Sequence, residues 1–221
     1  MACRVVVFLV VLSLISCKGG HKEQKINQSE TDEVQDSTLI FDGKSLQGWE
    51  VTNFGPQGPV YVSGGVIILG MGDGCTGVTF KRDVPVINYE VSLDARRVEG
   101  NDFFCGLTFP VGKDPCTLIV GGWGSTTIGL SCINGMDASE NETTSQRNFE
   151  KNRWYSIRLA VTGNNIEAWI DNEKVVDLTT TGKKLSIRAE VELSKPLGIA
   201  SWNTTAGIRN IRIRRLEDSA N

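Results

Sequence analysis

The chain has 221 residues, a formal net charge of −3, 40% hydrophobic residues, six cysteines and a single histidine. A near-neutral balance with no basic block leaves no electrostatic footprint for nucleic acid. The histidine, His21, lies ahead of the apolar-patterned body, so that body has no imidazole for a Ser-His-Asp triad or a histidine-ligated zinc site.

The chain opens MACRVVVFLVVLSLISC, with Arg4 followed by an apolar run from Val5 to Ile15. That run is shorter than the roughly 20 residues a spanning helix needs, and it reads as a secretory signal. Leu14-Ile15-Ser16-Cys17 resembles the lipobox of bacterial lipoproteins, in which cleavage exposes a cysteine thiol for diacylation. The expectation is therefore a signal peptide over 1–16 and lipidation at Cys17. Membrane attachment would be through lipid only, at a bacterial envelope, periplasmic or surface-exposed. Residues 18–36 (KGGHKEQKINQSETDEVQD) are polar and charged, too poor in apolar groups to offset the entropy of ordering. Segment 17–37 is thus expected to be a flexible tether, 38–217 one β domain large enough for a sizeable core, and 218–221 a disordered tail.

From Thr38 to Leu216, alternating apolar and polar residues recur at short spacing between Gly- and Asn-rich turns, and no amphipathic helix stands out. Predicted strands include 49–52, 66–69, 89–97, 103–109, 117–120 and 126–132, then 154–162, 166–171, 174–178, 198–202 and 208–216. Segment 184–193 is ambiguous and could form a short helix. Many short antiparallel strands predict an all-β protein, a sandwich or jelly roll of two antiparallel sheets.

Parity within the strands addresses the cysteines. Phe103, Cys105, Leu107 and Phe109 share one predicted face, as do Cys116, Leu118 and Val120, and Ile128, Leu130 and Cys132. Each sulfur thus falls among aliphatic groups, which favours buried free thiols. The turn over Pro110–Pro115 brings Phe109, not Cys105, opposite Cys116. A disulfide joining Cys116 and Cys132 is one alternative, since export permits it and Cys75 completes an even set of four. A metal site is another, although zinc knuckles use cysteines two to four residues apart.

The opposite parity carries Gly106, Thr108, Thr117, Thr127, Gly129 and Ser131, small groups that would leave a shallow trough. Such a trough suits an extended ligand, or it could be packed over by a loop. The sequence offers several groups that could serve a sugar there. Gly121-Gly122-Trp123-Gly124 could present an indole at the rim as a stacking platform, or Trp123 could plug the core. The loop NGMDASENETTSQRN supplies Asp137, Glu140, Glu142 and Arg147. Glycoside hydrolysis needs two carboxyls about 5–10 Å apart, and Asp137 with Glu140, or Glu140 with Asp102, could provide them; a solvated acidic loop is the alternative. In the hairpin around Gly163-Asn164-Asn165, parity puts Arg158 beside Trp169 or Asp171, with Glu167 on the same face. Tryptophan beside guanidinium and carboxylate could hold a sugar or form a structural cation–π pair.

Three segments carry a family resemblance. TLIFDGKSLQGWE is similar to the Leu-Phe-Asp-Gly-Lys opening of the 3-keto-disaccharide hydrolase family. NRWYSIRLAVTGNNIEAWIDNEKVVDL resembles its central hairpin, and KPLGIASWNTTAGIRNIRIRRL its closing strands. The resemblance covers about Thr38 to Leu216. It implies a concanavalin A-like jelly-roll sandwich with a concave saccharide-handling face, in proteins often exported as lipoproteins. The departures lie in the cleft. Cys116-Thr117-Leu118-Ile119-Val120 stands where members carry a strand glutamate, and Ser201-Trp202-Asn203-Thr204 stands where they carry Gln-Asp-His-Gly.

These readings converge on an envelope-anchored, glycoside hydrolase-like protein acting on or binding small saccharides. Its catalytic candidates are Glu140, Asp137 and Asp102; its ligand-binding candidates are Trp123, Arg147, Arg158, Glu167, Trp169, Trp202 and Asn203. Whether it is an enzyme is left open, with a non-catalytic carbohydrate-binding lipoprotein as the alternative and a structural envelope protein as a third reading. No catalytic cofactor or metal is expected. Structural calcium, common in sandwich lectins, would draw on Asp137–Glu142.

Overall fold

The computed structural model describes residues 37–217. The signal segment 1–16, the lipidation position Cys17, most of the tether 17–37 and the tail 218–221 lie outside the described residues. In chain order the strands are β1 (Thr38–Leu39), β2 (Trp49–Val51), β3 (Val60–Ser63), β4 (Val66–Leu69), β5 (Cys75–Phe80) and β6 (Tyr89–Gly100). There follow β7 (Cys105–Val111), β8 (Asp114–Gly121), β9 (Thr127–Ser131), β10 (Ser145–Gln146) and β11 (Tyr155–Val161). The last four are β12 (Asn165–Ile170), β13 (Glu173–Thr179), β14 (Leu197–Trp202) and β15 (Thr204–Arg215). A 3-10 helix over Ala189–Ser194 falls in the segment whose pattern was ambiguous. Among the described residues no helix is long and apolar enough to cross a membrane.

Two antiparallel sheets result, as the alternation predicts. One runs β13-β12-β11-β6-β15-β4-β3, with β1 paired to β15. The other runs β10-β9-β8-β7-β14-β5-β2. Their inner faces make one core. The first sheet contributes Tyr89, Val91, Leu93, Tyr155, Ile157 and Leu159; the second contributes Val78, Leu107, Phe109, Leu118, Leu130 and Ile199. Each such side chain stabilises the sandwich by about 1.5–3 kcal/mol through burial. The β11–β12 register sets Arg158 opposite Trp169, one of the two partners that parity allowed.

The β7–β8 register pairs Phe109 with Cys116 and Cys105 with Val120, so the two sulfurs are not opposite one another. All four described cysteines are free and buried. Cys105 and Cys116 belong to the core cluster, where burial pushes each thiol up to about 12.

Two parity assignments change. The strand begins at Cys105, not Phe103, so Phe104 turns into the core against Phe149 and Tyr155 while Phe103 lies over Gly106 on the outer side. Cys132 lies one residue beyond β9, where its Sγ is 3.4 Å from an Asp137 carboxylate oxygen and 3.3 Å from Ser131 Oγ, outside the core cluster.

Candidate functional site

The outer face of the seven-stranded sheet is built from side chains too small to fill it. Register aligns Gly129, Ile119, Gly106, Ala200 and Gly77 in one row across five strands. The next row holds Ser131, Thr117, Thr108, Gly198 and Thr79. These hydroxyls are buried and therefore need partners. Thr108 and Thr117 share a 3.0 Å bond, Ser131 Oγ donates to Asp137 at 3.1 Å, and Thr79 Oγ1 donates to the Leu193 carbonyl at 3.0 Å.

Two segments cover the ends of this face. The 3-10 helix sits on Gly198 so closely that a Cβ there would lie 2.5 Å from the Ser194 carbonyl oxygen. Ala138 likewise lies over Gly129, at 2.8 Å from a Cβ built there. The trough is thus packed over at its ends and open between them. What remains is a cleft of about 640 Å³, counting the open space at its mouth, lined by Cys75, Asp102, Phe103, Thr117, Ile119 and Trp123, with Ser131, Arg188, Glu190, Val191 and Trp202. An apolar lining with few polar groups is usual for small-molecule sites.

The cleft's aromatic groups are set by turns. Gly121 adopts φ +80°, a conformation glycine takes without strain, and a Cβ there would also meet the Phe104 ring at 3.0 Å; the chain then reverses with Trp123 at φ 45°. The indole is left 43% exposed at the rim. Trp202 ends β14, beside the left-handed Asn203, whose side-chain carbonyl accepts from Gly74 N–H at 2.7 Å and whose own N–H donates to Gly74 O at 3.0 Å. Asn203 fixes the turn that carries Trp202 and does not line the cleft.

The cleft's carboxyls differ in environment. Burial raises the pKa of Asp102, and the backbone N–H groups of Phe103, at 2.7 Å, and of Trp123 only partly offset this. Glu190 is lowered, chiefly by hydrogen bonds from Arg188, whose Nη2 and Nε donate to its two oxygens at 2.8 and 3.3 Å. Arg188 also donates through Nη1 to Asp137 at 2.6 Å. Cys75 faces the cleft with its thiol pushed up to about 12 by burial and then by the charge of Glu190, so it stays protonated and unreactive.

Of the residues singled out in the sequence, Asp102, Trp123 and Trp202 line this cleft. Asp137 stands directly behind it, bonded to the lining residues Ser131 and Arg188. Glu140 is exposed on the adjoining loop and does not line it. The others lie elsewhere. Arg158 stacks 3.6 Å over Trp169 and donates to Glu90 at 2.9 Å, and Glu167 pairs with Lys174, all on the outer face of the other sheet. Two packed sheets turn those outer faces in opposite directions. Arg147 is held by Asp171 at 2.9 Å and the Ile170 carbonyl at 3.2 Å. Arg188 and Glu190 escaped the sequence reading; the signal for them is indirect, a glycine at position 198 facing outward.

Among the described residues, no group of three or more His, Cys, Asp or Glu side chains could hold a metal ion. The segment expected to serve calcium does not fit: Asp137 is engaged by Arg188 and Ser131, and Glu142 by Lys183.

The model of the 3-keto-alpha-glucoside-1,2-lyase-like domain matches residues 36–214. No curated protein sequence matches the chain. Among solved structures, a proposed glycosyl hydrolase from Parabacteroides distasonis aligns at TM-score 0.53 and 16% identity, covering 82% of this chain and 94% of that one. The Crh5 transglycosylase in complex with NAG aligns at 0.57 and 14%, covering 82% and 84%. The carbohydrate recognition domain of Emp46p aligns at 0.52 and 11%, covering 78% and 90%. At such identities these likenesses establish a shared sandwich fold.

Proposed function

Because the chain belongs to the 3-keto-alpha-glucoside-1,2-lyase-like family, we propose that the cleft takes one small saccharide against Trp123 and Trp202 and breaks its glycosidic bond. One observation carries this reading: two carboxyls pushed in opposite directions line one cleft, Asp102 raised by burial and Glu190 lowered by Arg188. Divergent carboxyls are how a site keeps an acid and a base together. In a glucoside with a ketone at C3, the neighbouring carbonyl acidifies the C2 proton. Glu190 takes that proton, the C1=C2 bond forms as C1–O breaks, and the departing oxygen receives the Asp102 proton. Water adding across the double bond would complete a net hydrolysis.

A second reading, saccharide binding without turnover, draws support from Glu190 having both oxygens engaged by Arg188 and from the absence of histidine in 38–217. In either case the Leu14–Cys17 segment supports export and lipid anchoring at a bacterial envelope.

The test uses a 3-keto-α-disaccharide, with tryptophan fluorescence for binding and product release for turnover. Asp102→Asn and Glu190→Gln should each cut turnover at least 100-fold while leaving affinity within about threefold. Trp123→Ala or Trp202→Ala should weaken binding by about tenfold. Glu140→Gln should change neither. Binding without turnover selects the second reading, and no binding refutes both.

A further inference from the structure

We propose that the cleft selects by charge, admitting neutral saccharides and rejecting sugars that carry a carboxylate, sulfate or phosphate. This rests on the saccharide reading of the same cleft and adds the class of sugar it takes.

The charged side chains lining the cleft are Asp102, Arg188 and Glu190. Proteins that capture anionic sugars do so with a guanidinium whose forked N–H edge is free for the ligand. Here that edge is used within the protein. Nε and Nη2 of Arg188 donate to the two oxygens of Glu190, and Nη1 donates to Asp137 at 2.6 Å. Asp137 is itself fixed by Ser131 Oγ at 3.1 Å and approached by Cys132 Sγ at 3.4 Å, so it does not swing away to release the arginine. A sugar carboxylate would be the third on one guanidinium and would find only the second N–H of Nη1 and of Nη2, on a charge that two carboxylates already more than match.

Asp102 does not redress the imbalance. Backbone N–H groups hold it, and among the described residues no salt bridge reaches it. The two carboxylates on Arg188 already outnumber it, and Asp102 brings no cation to offset them. Phe103, Ile119, Trp123, Val191 and Trp202 form the apolar part of the wall, where solvent screens charge less than it does in open water. An entering anion therefore meets net repulsion without an unpaired cation to receive it. A neutral ring meets none, and can use aromatic faces together with the Thr117 and Ser131 hydroxyls.

The experiment compares methyl 3-keto-α-glucoside with methyl 3-keto-α-glucuronide on the full chain, by tryptophan fluorescence and by calorimetry. The glucuronide is expected to bind at least tenfold more weakly. Glu190→Gln removes one carboxylate and loosens the Arg188 fork, and should narrow the gap to under threefold. Arg188→Gln removes the lone cation and should widen it. Equal or tighter binding of the glucuronide overturns the inference, and so does a preference for the glucuronide that vanishes on Arg188→Gln. The wild-type comparison decides the matter even if a variant fails to fold. Failure of both sugars to bind removes the saccharide reading itself, whereas glucoside binding without discrimination removes only the charge rule.

Discussion

Replacing Gly198 by alanine tests whether the segment that walls the cleft is held in place by the sheet beneath it. The added Cβ would lie 2.5 Å from Ser194 O, 2.7 Å from Ser194 Cβ and 2.9 Å from Ser194 Cα. Two of these atoms are backbone, so no rotamer change relieves the clash, and the 3-10 helix over Ala189–Ser194 must lift. Overpacking of this kind costs about 1–3 kcal/mol. For a domain of this size, ~2–4 °C per kcal/mol translates that into a Tm roughly 2–12 °C lower. Lifting the helix also moves Glu190 and Val191, two of the cleft's walls, so saccharide affinity should fall along with stability. Denaturant melts followed by tryptophan fluorescence measure the first effect, and titration with a 3-keto-α-disaccharide the second. Gly163→Ala is the control: nothing lies within 4 Å of its Cβ position and its φ is not in the left-handed region. That variant should be neutral or more stable by up to about 1 kcal/mol. If Gly198→Ala melts like Gly163→Ala, the helix does not rest on the sheet and the account of the cleft fails.

The raised pKa of Asp102 makes its charge a burden on the fold. Because the folded value lies above the ordinary 3.8, the native state holds its proton longer than the unfolded chain does. Stability linked to this group is therefore complete below 3.8 and declines as pH rises through the folded value. Asp102→Asn keeps the oxygen that accepts from Phe103 N–H, so it should be more stable than wild type at pH 7 and indistinguishable below pH ~3 in paired melts. A stability gain that persists at low pH would contradict burial of charge as the cause. Cys116→Ser puts a hydroxyl at a fully buried core position, where an unmet hydrogen bond costs about 1–3 kcal/mol. Reductant, in contrast, should leave the wild-type melt unchanged, because the four described cysteines are free.

Local pattern was enough where each residue's burial depends on its own strand. In the β11–β12 hairpin, a Gly-Asn-Asn turn and strict alternation send Tyr155, Ile157 and Leu159 inward and confine Arg158 to two partners. It failed where tertiary contacts set the rule. β5 reads Cys-Thr-Gly-Val-Thr-Phe, without strict alternation, and is absent from the predicted strands, yet it is buried along its whole length between β14 and β2. Phe103 and Phe104 exchanged faces because the strand starts two residues later, beyond a bend tied to Thr204 by the Asp102 N–H.

The same division runs through the site. Asp102, Trp123 and Trp202 could be singled out by residue type and by their places at strand ends. Arg188 and Glu190 could not, because segment 184–194 has no period of its own and its position is decided by what it lands on. The sheet does carry the imprint: Gly198 under Ser194 and Gly129 under Ala138 are small on the outward parity of their strands, as a surface must be to receive a backbone directly. Such an imprint announces that something lies close above without saying which segment it is. Many segments can satisfy a strip of glycine; only one of them brings an arginine and a glutamate to the mouth of the cleft, and that choice is made by the fold as a whole.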